Sequence, residues 1–197
     1  MSEIEQTTAD NAQSGKYVLK KTVVMVGMMG AGKTAVGRAL AQLLAVPFLD
    51  SDHEIEAAAN MTVPEIFARD GEAFFRARET EVINRLLGGE ACVLSTGGGA
   101  FLAPQNRTAI STHGVSVWLN ADVALLWNRV KHRDTRPLLR TKNPKATLEE
   151  IYNARVPAYA QADVHVPCAP PVAIERMAQR VVDALLSRPD VLEQVDA

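Results

Sequence analysis

The chain has 197 residues, 47% of them hydrophobic and 22% charged, the composition of one ordinary globular domain with a full core. A formal net charge of −2 excludes the basic excess of a dedicated nucleic-acid or anionic-membrane surface. Two cysteines, Cys92 and Cys168, make neither a metal-ligand pair nor a disulfide framework, so a reducing cytoplasm is expected and both read as small apolar fillers.

Residues 1–16 are polar and lack the apolar run of a signal peptide. A flexible tail is therefore expected over 1–18, then a single domain over 19–187 and a loosely held end over 188–197. No stretch is long and apolar enough to cross a bilayer. Val23 to Val26 is a short run rich in β-branched residues, as a buried parallel strand requires. It breaks into Gly27, Gly30, Gly32, Lys33 and Thr34, which satisfy G-x-x-x-x-G-K-[ST], the loop that wraps backbone N–H groups around nucleotide phosphates. In that loop Lys33 is expected to reach the outer phosphates and Thr34 to ligate Mg²⁺. The helix that follows points its positive end at the anion.

Val46 to Asp50 reads as a second strand ending in Asp50, Ser51 and Asp52. Ligands gather beyond the carboxyl ends of parallel strands, which places both aspartates for chemistry; the plain alternative is that they cap the next helix. Thr62 to Glu65 is a capping box for a short helix that stops at Asp70-Gly71, and a longer amphipathic helix is expected from Glu72 to Leu87. Its charged face holds Arg76, Arg78 and Glu79, solvated by default, except that Arg76 sits beside two phenylalanines and is placed to reach a cleft. Ala91 to Thr96 is a third strand running into Gly97, Gly98 and Gly99. A simple turn needs only one or two glycines, so three imply close approach of backbone to a bound molecule.

Pro104 to His113 reads as a helix ended by Gly114, and Val115 to Leu119 as a fourth strand, with Asn120 capping the helix after it. From His132 to Lys145 the chain is basic and proline-bearing, the character of a lid that closes over phosphates and excludes water. Thr147 to Glu150 is a second capping box, opening a helix that carries Arg155, Pro157 and Tyr159. Asp163 to Val166 is a fifth strand, Pro170-Pro171 forces a turn, and Val172 to Arg188 closes the chain as an amphipathic helix. The four histidines show no ligand spacing and read as structural or solvated. Strand and helix alternate throughout, the signature of a parallel sheet covered on both faces.

Together these motifs resemble the shikimate kinase family, small relatives of the nucleoside monophosphate kinases. The likeness spans Lys20 to Leu186 and rests on GMMGAGKT at 27–34, FLDSD at 48–52, DGEAFFR at 70–76, STGGGA at 95–100, RPLL at 136–139 and RVPAY at 155–159. It implies a three-layer αβα P-loop kinase fold, with a five-stranded parallel sheet and a mobile lid over about 132–145. The implied reaction is transfer of the ATP γ-phosphate to the 3-hydroxyl of shikimate, toward aromatic amino acids, with Mg²⁺. By the resemblance Gly30, Ala31, Gly32, Lys33, Thr34, Ala35, Arg129 and Arg136 bind ATP, Arg129 against the adenine and Arg136 from the lid. Asp52, Arg76, Gly97, Gly98, Gly99 and Arg155 bind shikimate, the arginines on its carboxylate and Asp52 on its ring hydroxyls. Lys33, Asp52 and Arg136 carry catalysis, and Asp50 acts on the metal through water beside Thr34. The family often has a second hydroxyl residue where this chain has Ala35, so one side-chain phosphate contact is missing.

The expected partners are ATP and shikimate, with no nucleic acid, no membrane and a monomeric state. Two rival readings are a nucleoside monophosphate or gluconate-type kinase, against which Asp52 would repel an acceptor phosphate, and a non-catalytic nucleotide switch. The switch leaves the acidic strand end, the triple glycine and the lid without a use.

Overall fold

The computed structural model describes residues 16–133, 136–169 and 172–195. Most of the N-terminal tail, two residues of the expected lid and the Pro170-Pro171 turn lie outside the described residues. The strands are β1 (Tyr17–Leu19), β2 (Thr22–Val26), β3 (Phe48–Asp50), β4 (Val93–Ser95), β5 (Gly114–Ala121), β6 (Val164–Cys168) and β7 (Leu192–Gln194). The helices are α1 (Lys33–Leu44), α2 (Ser51–Ala59), α3 (Val63–Leu87), α4 (Pro104–His113), α5 (Val123–Val130), α6 (Pro144–Tyr159) and α7 (Ile174–Leu185).

Five strands form one parallel sheet in the order β3-β4-β2-β5-β6, flanked by helices. Every residue of β2, TVVMV, is buried, which is why its apolar run does not alternate. Register then sets the site. Met25 of β2 and Asp50 of β3 both pair with Ser95 of β4, so three neighbouring strands end level and release the phosphate loop, the acidic turn and the triple glycine along one edge. Helices α1 and α7 pack on one another, α7 through the stripe Met177, Ala178, Val181, Val182 and Leu185. A second, smaller cluster of Ile55, Ile66 and Phe75 seals α2 against α3.

Helix α3 is two helices joined at Gly71, whose φ of 84° and ψ of 173° break the run where the sequence places the stop. Its capping box forms, with Thr62 and Glu65 bonded reciprocally. Elsewhere three local expectations are corrected. The box at Thr147 does not form: α6 begins earlier, capped by Asn143, whose Oδ1 accepts from the Ala146 N–H, and Thr147 turns its hydroxyl back to the Asn143 carbonyl. Asn120 is not a cap, because β5 continues to Ala121 and Asp122 takes that role, accepting from the Leu125 N–H at 2.8 Å.

Third, the segments expected as loose ends meet. β1 and β7 pair antiparallel, Val191 and Leu192 are buried in the core, and Lys20 and Lys21 reach Glu193 and Asp190. The physical reason is a short apolar pair placed just beyond α7, which finds its cover on the strand preceding β2.

Candidate active site

The phosphate loop wraps the start of α1, with Gly32 as a left-handed cap at φ 95°. Lys33 Nζ donates to the carbonyls of Gly27 at 2.7 Å and Met28 at 3.0 Å, so the ammonium lies folded across the loop it serves. Burial pushes Lys33 down to about 8; Arg136 and Arg155 press the same way, against Asp52 and Asp50. Such a cation gains most when an anion arrives. From α5, Arg129 Nη1 donates to the carbonyls of Gly30 at 3.0 Å and Ala31 at 3.1 Å, tying the loop to the next helix layer.

A cleft of about 490 Å³ opens above the sheet edge. Its walls include Gly30, Ala31, Gly32, Lys33, Thr34 and Ala35 on one side and Asp50, Asp52, Gly97 and Gly98 on the other. Arg129, Arg133 and Arg136 close it, and Cys168, Val172, Ile174 and Met177 supply an apolar end. Cys168 is thus more than a filler, and Arg133 is a lining residue that the sequence does not distinguish from the rest of the basic segment. Arg136 is half-buried at the start of a 3-10 turn, Pro137–Leu139, and burial with Arg133 nearby holds its guanidinium below its usual range.

Each glycine of the triple faces a different charged group. A Cβ on Gly97 would lie 3.0 Å from Asp52 Oδ1, and one on Gly98 would lie 2.9 Å from Arg155 Nη1. A Cβ on Gly99 would run into the Arg76 guanidinium, 2.8 Å from its Cζ. Three side chains from α2, α3 and α6 therefore converge on one backbone turn, with no room for any side chain from it. The Tyr159 hydroxyl, one turn beyond Arg155, donates to the Gly98 carbonyl at 2.5 Å.

Asp50 caps α2, its Oδ1 accepting from the N–H groups of Asp52 at 3.0 Å and His53 at 3.2 Å, so the capping role and the place in the cleft coexist. Asp52 has no such outlet. Its carboxyl is pushed up to about 6, chiefly by burial, then by Asp50 and Glu56, with Lys33 and Arg76 opposing. Arg76 Nη1 bonds Glu79 Oε1 at 2.8 Å, and Glu79 is 1% exposed, with burial raising its pKa against the pull of Arg76. The expectation of a solvated Glu79 is overturned. Its position four residues from both Phe75 and Ile83, on the buried stripe of α3, was the available signal. Arg78, by contrast, is half-exposed beside Glu81, as expected.

Among the described residues, the buried side-chain atoms without a hydrogen-bond partner are Ser51 Oγ, Asp52 Oδ1, Glu79 Oε2, Asn106 Oδ1 and Arg136 Nε. Asp52 and Arg136 both line the cleft, where an arriving ligand can satisfy their atoms. No group of three metal-ligating side chains occurs among the described residues. A Mg²⁺ ion held by one hydroxyl, one carboxylate through water and the nucleotide phosphates needs no such group. Thr34 and Asp50, both in the cleft wall, are chemically suited to that sparse mode.

A phosphate loop on the central strand, an acidic strand end beside it and arginines closing from above define a P-loop phosphotransferase acting on a small molecule. Comparison with known proteins narrows the class. The sequence pattern of the family described as shikimate kinase matches residues 29–186. The shikimate kinase of Ruegeria pomeroyi is 66% identical over 98% of this chain and 99% of its own. That of Cereibacter sphaeroides is 63% identical over 93% of each. The solved shikimate kinase from Acinetobacter baumannii, in complex with shikimate, aligns with a TM-score of 0.80 at 40% identity, covering 90% of this chain and 97% of that one. A gluconokinase from Sinorhizobium meliloti, at 16% identity and a TM-score of 0.56, shares the fold alone. The chain belongs to the shikimate kinase family, enzymes that carry the terminal phosphoryl of ATP to the 3-hydroxyl of shikimate.

Proposed function

We propose that this chain binds shikimate against the triple glycine and ATP along the phosphate loop, and joins them across the strand edge. The observation that carries the reading is the convergence of Asp52, Arg155 and Arg76 on three consecutive glycines. A small acceptor with one carboxylate and several hydroxyls calls for that set: guanidinium forks for the charge, a carboxylate for the hydroxyls, and a bare backbone between them.

In this reading Arg76 and Arg155 grip the acceptor carboxylate, and Gly97, Gly98 and Gly99 give it N–H donors. Asp52 orients the ring hydroxyls. With its carboxyl raised to about 6 it is mostly ionised at neutral pH and basic enough to accept the proton of the attacking hydroxyl. Lys33 leaves its loop carbonyls for the outer phosphates, while Arg136 comes down on the transferring group as charge accumulates there. Gly30, Ala31, Gly32, Thr34 and Ala35 cradle the phosphates, and Arg129 borders the nucleoside end. Thr34, with Asp50 through water, would hold Mg²⁺, which neutralises phosphate charge. The lid excludes water so that the phosphoryl group goes to the acceptor. No helix among the described residues is long and apolar enough to cross a membrane. Action as a cytoplasmic monomer without nucleic acid completes the proposal.

The test is ADP release by the purified protein with Mg-ATP, comparing shikimate, quinate, gluconate and the common nucleoside monophosphates. Turnover with shikimate far above the others is expected. Turnover with a nucleoside monophosphate would overturn the acceptor site and leave the fold standing.

A further inference from the structure

The carbonyls from Gly97 to Leu102 are all engaged. The Ala100 N–H donates to Gly97 O at 3.1 Å, the Leu102 N–H to Gly99 O at 3.2 Å, and the Tyr159 hydroxyl to Gly98 O. The remaining carbonyls are held from α4. Asn106 Nδ2 donates to Ala100 O at 2.9 Å, and Arg107 Nη1 donates to Phe101 O at 2.8 Å and Leu102 O at 2.9 Å. The N–H groups of Gly97, Gly98 and Gly99, in contrast, donate to no acceptor among the described residues. The loop has its acceptors used up and its donors left over, which is what an anion site built from backbone requires.

Asn106 is an unusual means of holding a carbonyl. It is 0% exposed, on the first turn of α4 behind an Ala103 cap that offers no side-chain bond, and its Oδ1 has no partner among the described residues. A buried amide that satisfies one group and strands another costs the fold more than an apolar side chain of similar size. Its return lies in the peptide that it fixes. Ala100 follows Gly99, whose Cα lies against Arg76, and the Ala100 carbonyl belongs to the next peptide, Ala100–Phe101; left free, that peptide would turn and loosen the 3-10 turn whose Ala100 and Leu102 N–H groups hold the carbonyls of Gly97 and Gly99.

We propose that Asn106, with Arg107 beside it, is a positioning residue of the acceptor site. The pair locks the turn after the triple glycine, and thereby the backbone donors that receive the acceptor carboxylate, without touching the acceptor. The inference rests on the acceptor reading given above.

Asn106→Leu removes the bond and the stranded Oδ1 but strands the Ala100 carbonyl instead, so the two costs largely offset. The variant is expected to melt within a few degrees of the wild-type temperature. Its KM for shikimate, and its Kd for shikimate by calorimetry without nucleotide, are expected to rise about fivefold, the size of one hydrogen bond, with the KM for ATP unchanged. Unchanged shikimate affinity in the folded variant would overturn the proposal, as would parallel losses for both substrates with a lowered Tm, the mark of a merely structural role. Should Asn106→Leu fail to fold, the comparison of Arg107→Met with Arg107→Lys decides. A raised shikimate KM in the methionine variant, rescued by lysine, supports the positioning role, and equal values in the two overturn it. Wild-type protein that neither binds nor phosphorylates shikimate would remove the acceptor reading itself, visibly and before any variant is compared.

Discussion

Asp52 shows what the site costs at the scale of one residue. Its folded pKa of about 6 stands above the unfolded value of 3.8, so the contribution of this carboxyl favours the fold below the unfolded value and is lost as pH rises through 6. At neutral pH the ionised group is therefore a burden on the fold. Asp52→Asn is expected to stabilise the protein at pH 7.5 by about 2 kcal/mol while lowering kcat by a hundredfold or more, measured by denaturant melts and the ADP assay. In the wild type, kcat/KM for shikimate should fall as pH drops through about 6, and that limb should vanish in the variant. A variant as active as wild type would leave Asp52 without its role. Asp52 was legible because it follows a strand end by two residues. Glu79 was not, since a carboxylate among Arg76 and Arg78 reads as a solvated face until the helix is seen packed.

At the scale of elements, the glycine turn and the α3 break make opposite uses of a missing Cβ. At Gly99 the obstacle is the end of a flexible side chain, so Gly99→Ala should fold and melt within a few degrees of wild type. It should displace Arg76 and raise the KM for shikimate about tenfold or more, leaving the KM for ATP alone. At Gly71 a Cβ would find nothing within 4 Å, and only the backbone angle objects. Gly71→Ala is accordingly expected to cost about 1 kcal/mol in stability, read from the denaturant midpoint, with kinetics unchanged. The sequence signals for these two turns were equally plain, a glycine after a strand and a glycine after an aspartate. Spacing cannot say what surrounds a glycine, so the difference between a steric requirement and a conformational one appears only in the packed structure. Capping failed as a guide at Thr147 and Asn120 for a related reason. Several residues in each stretch are competent caps, and which one serves is decided by where the neighbouring strand or turn lets the helix begin.

For the whole molecule, alternation of strand and helix foretold a parallel sheet, and the five main strands fell where their apolar runs lie. The strand order β3-β4-β2-β5-β6 was not legible, because local pattern carries no record of which strand lies beside which. That order is what brings the acidic turn and the triple glycine to the same side of the phosphate loop. The β1–β7 pair was missed because three-residue strands with polar partners give no periodicity to read. Its consequence is mechanical. Helix α7 lines the apolar end of the cleft through Ile174 and Met177 and packs on α1, which carries the phosphate loop, and β7 pins the far end of α7 to the strand leading into β2. Truncation after Arg188 would uncover the partners of Val191 and Leu192, an apolar loss of about 3 kcal/mol. The truncated chain is expected to melt roughly 5–10 °C lower, and, on the proposed placement of ATP along the phosphate loop, its KM for ATP is expected to rise more than its KM for shikimate, because α7 packs on the helix that follows that loop. A truncated protein with unaltered Tm would show β7 to be an ornament, whereas a lowered Tm with equal effects on both substrates would separate the strand pair's stabilising role from any hold on the nucleotide end.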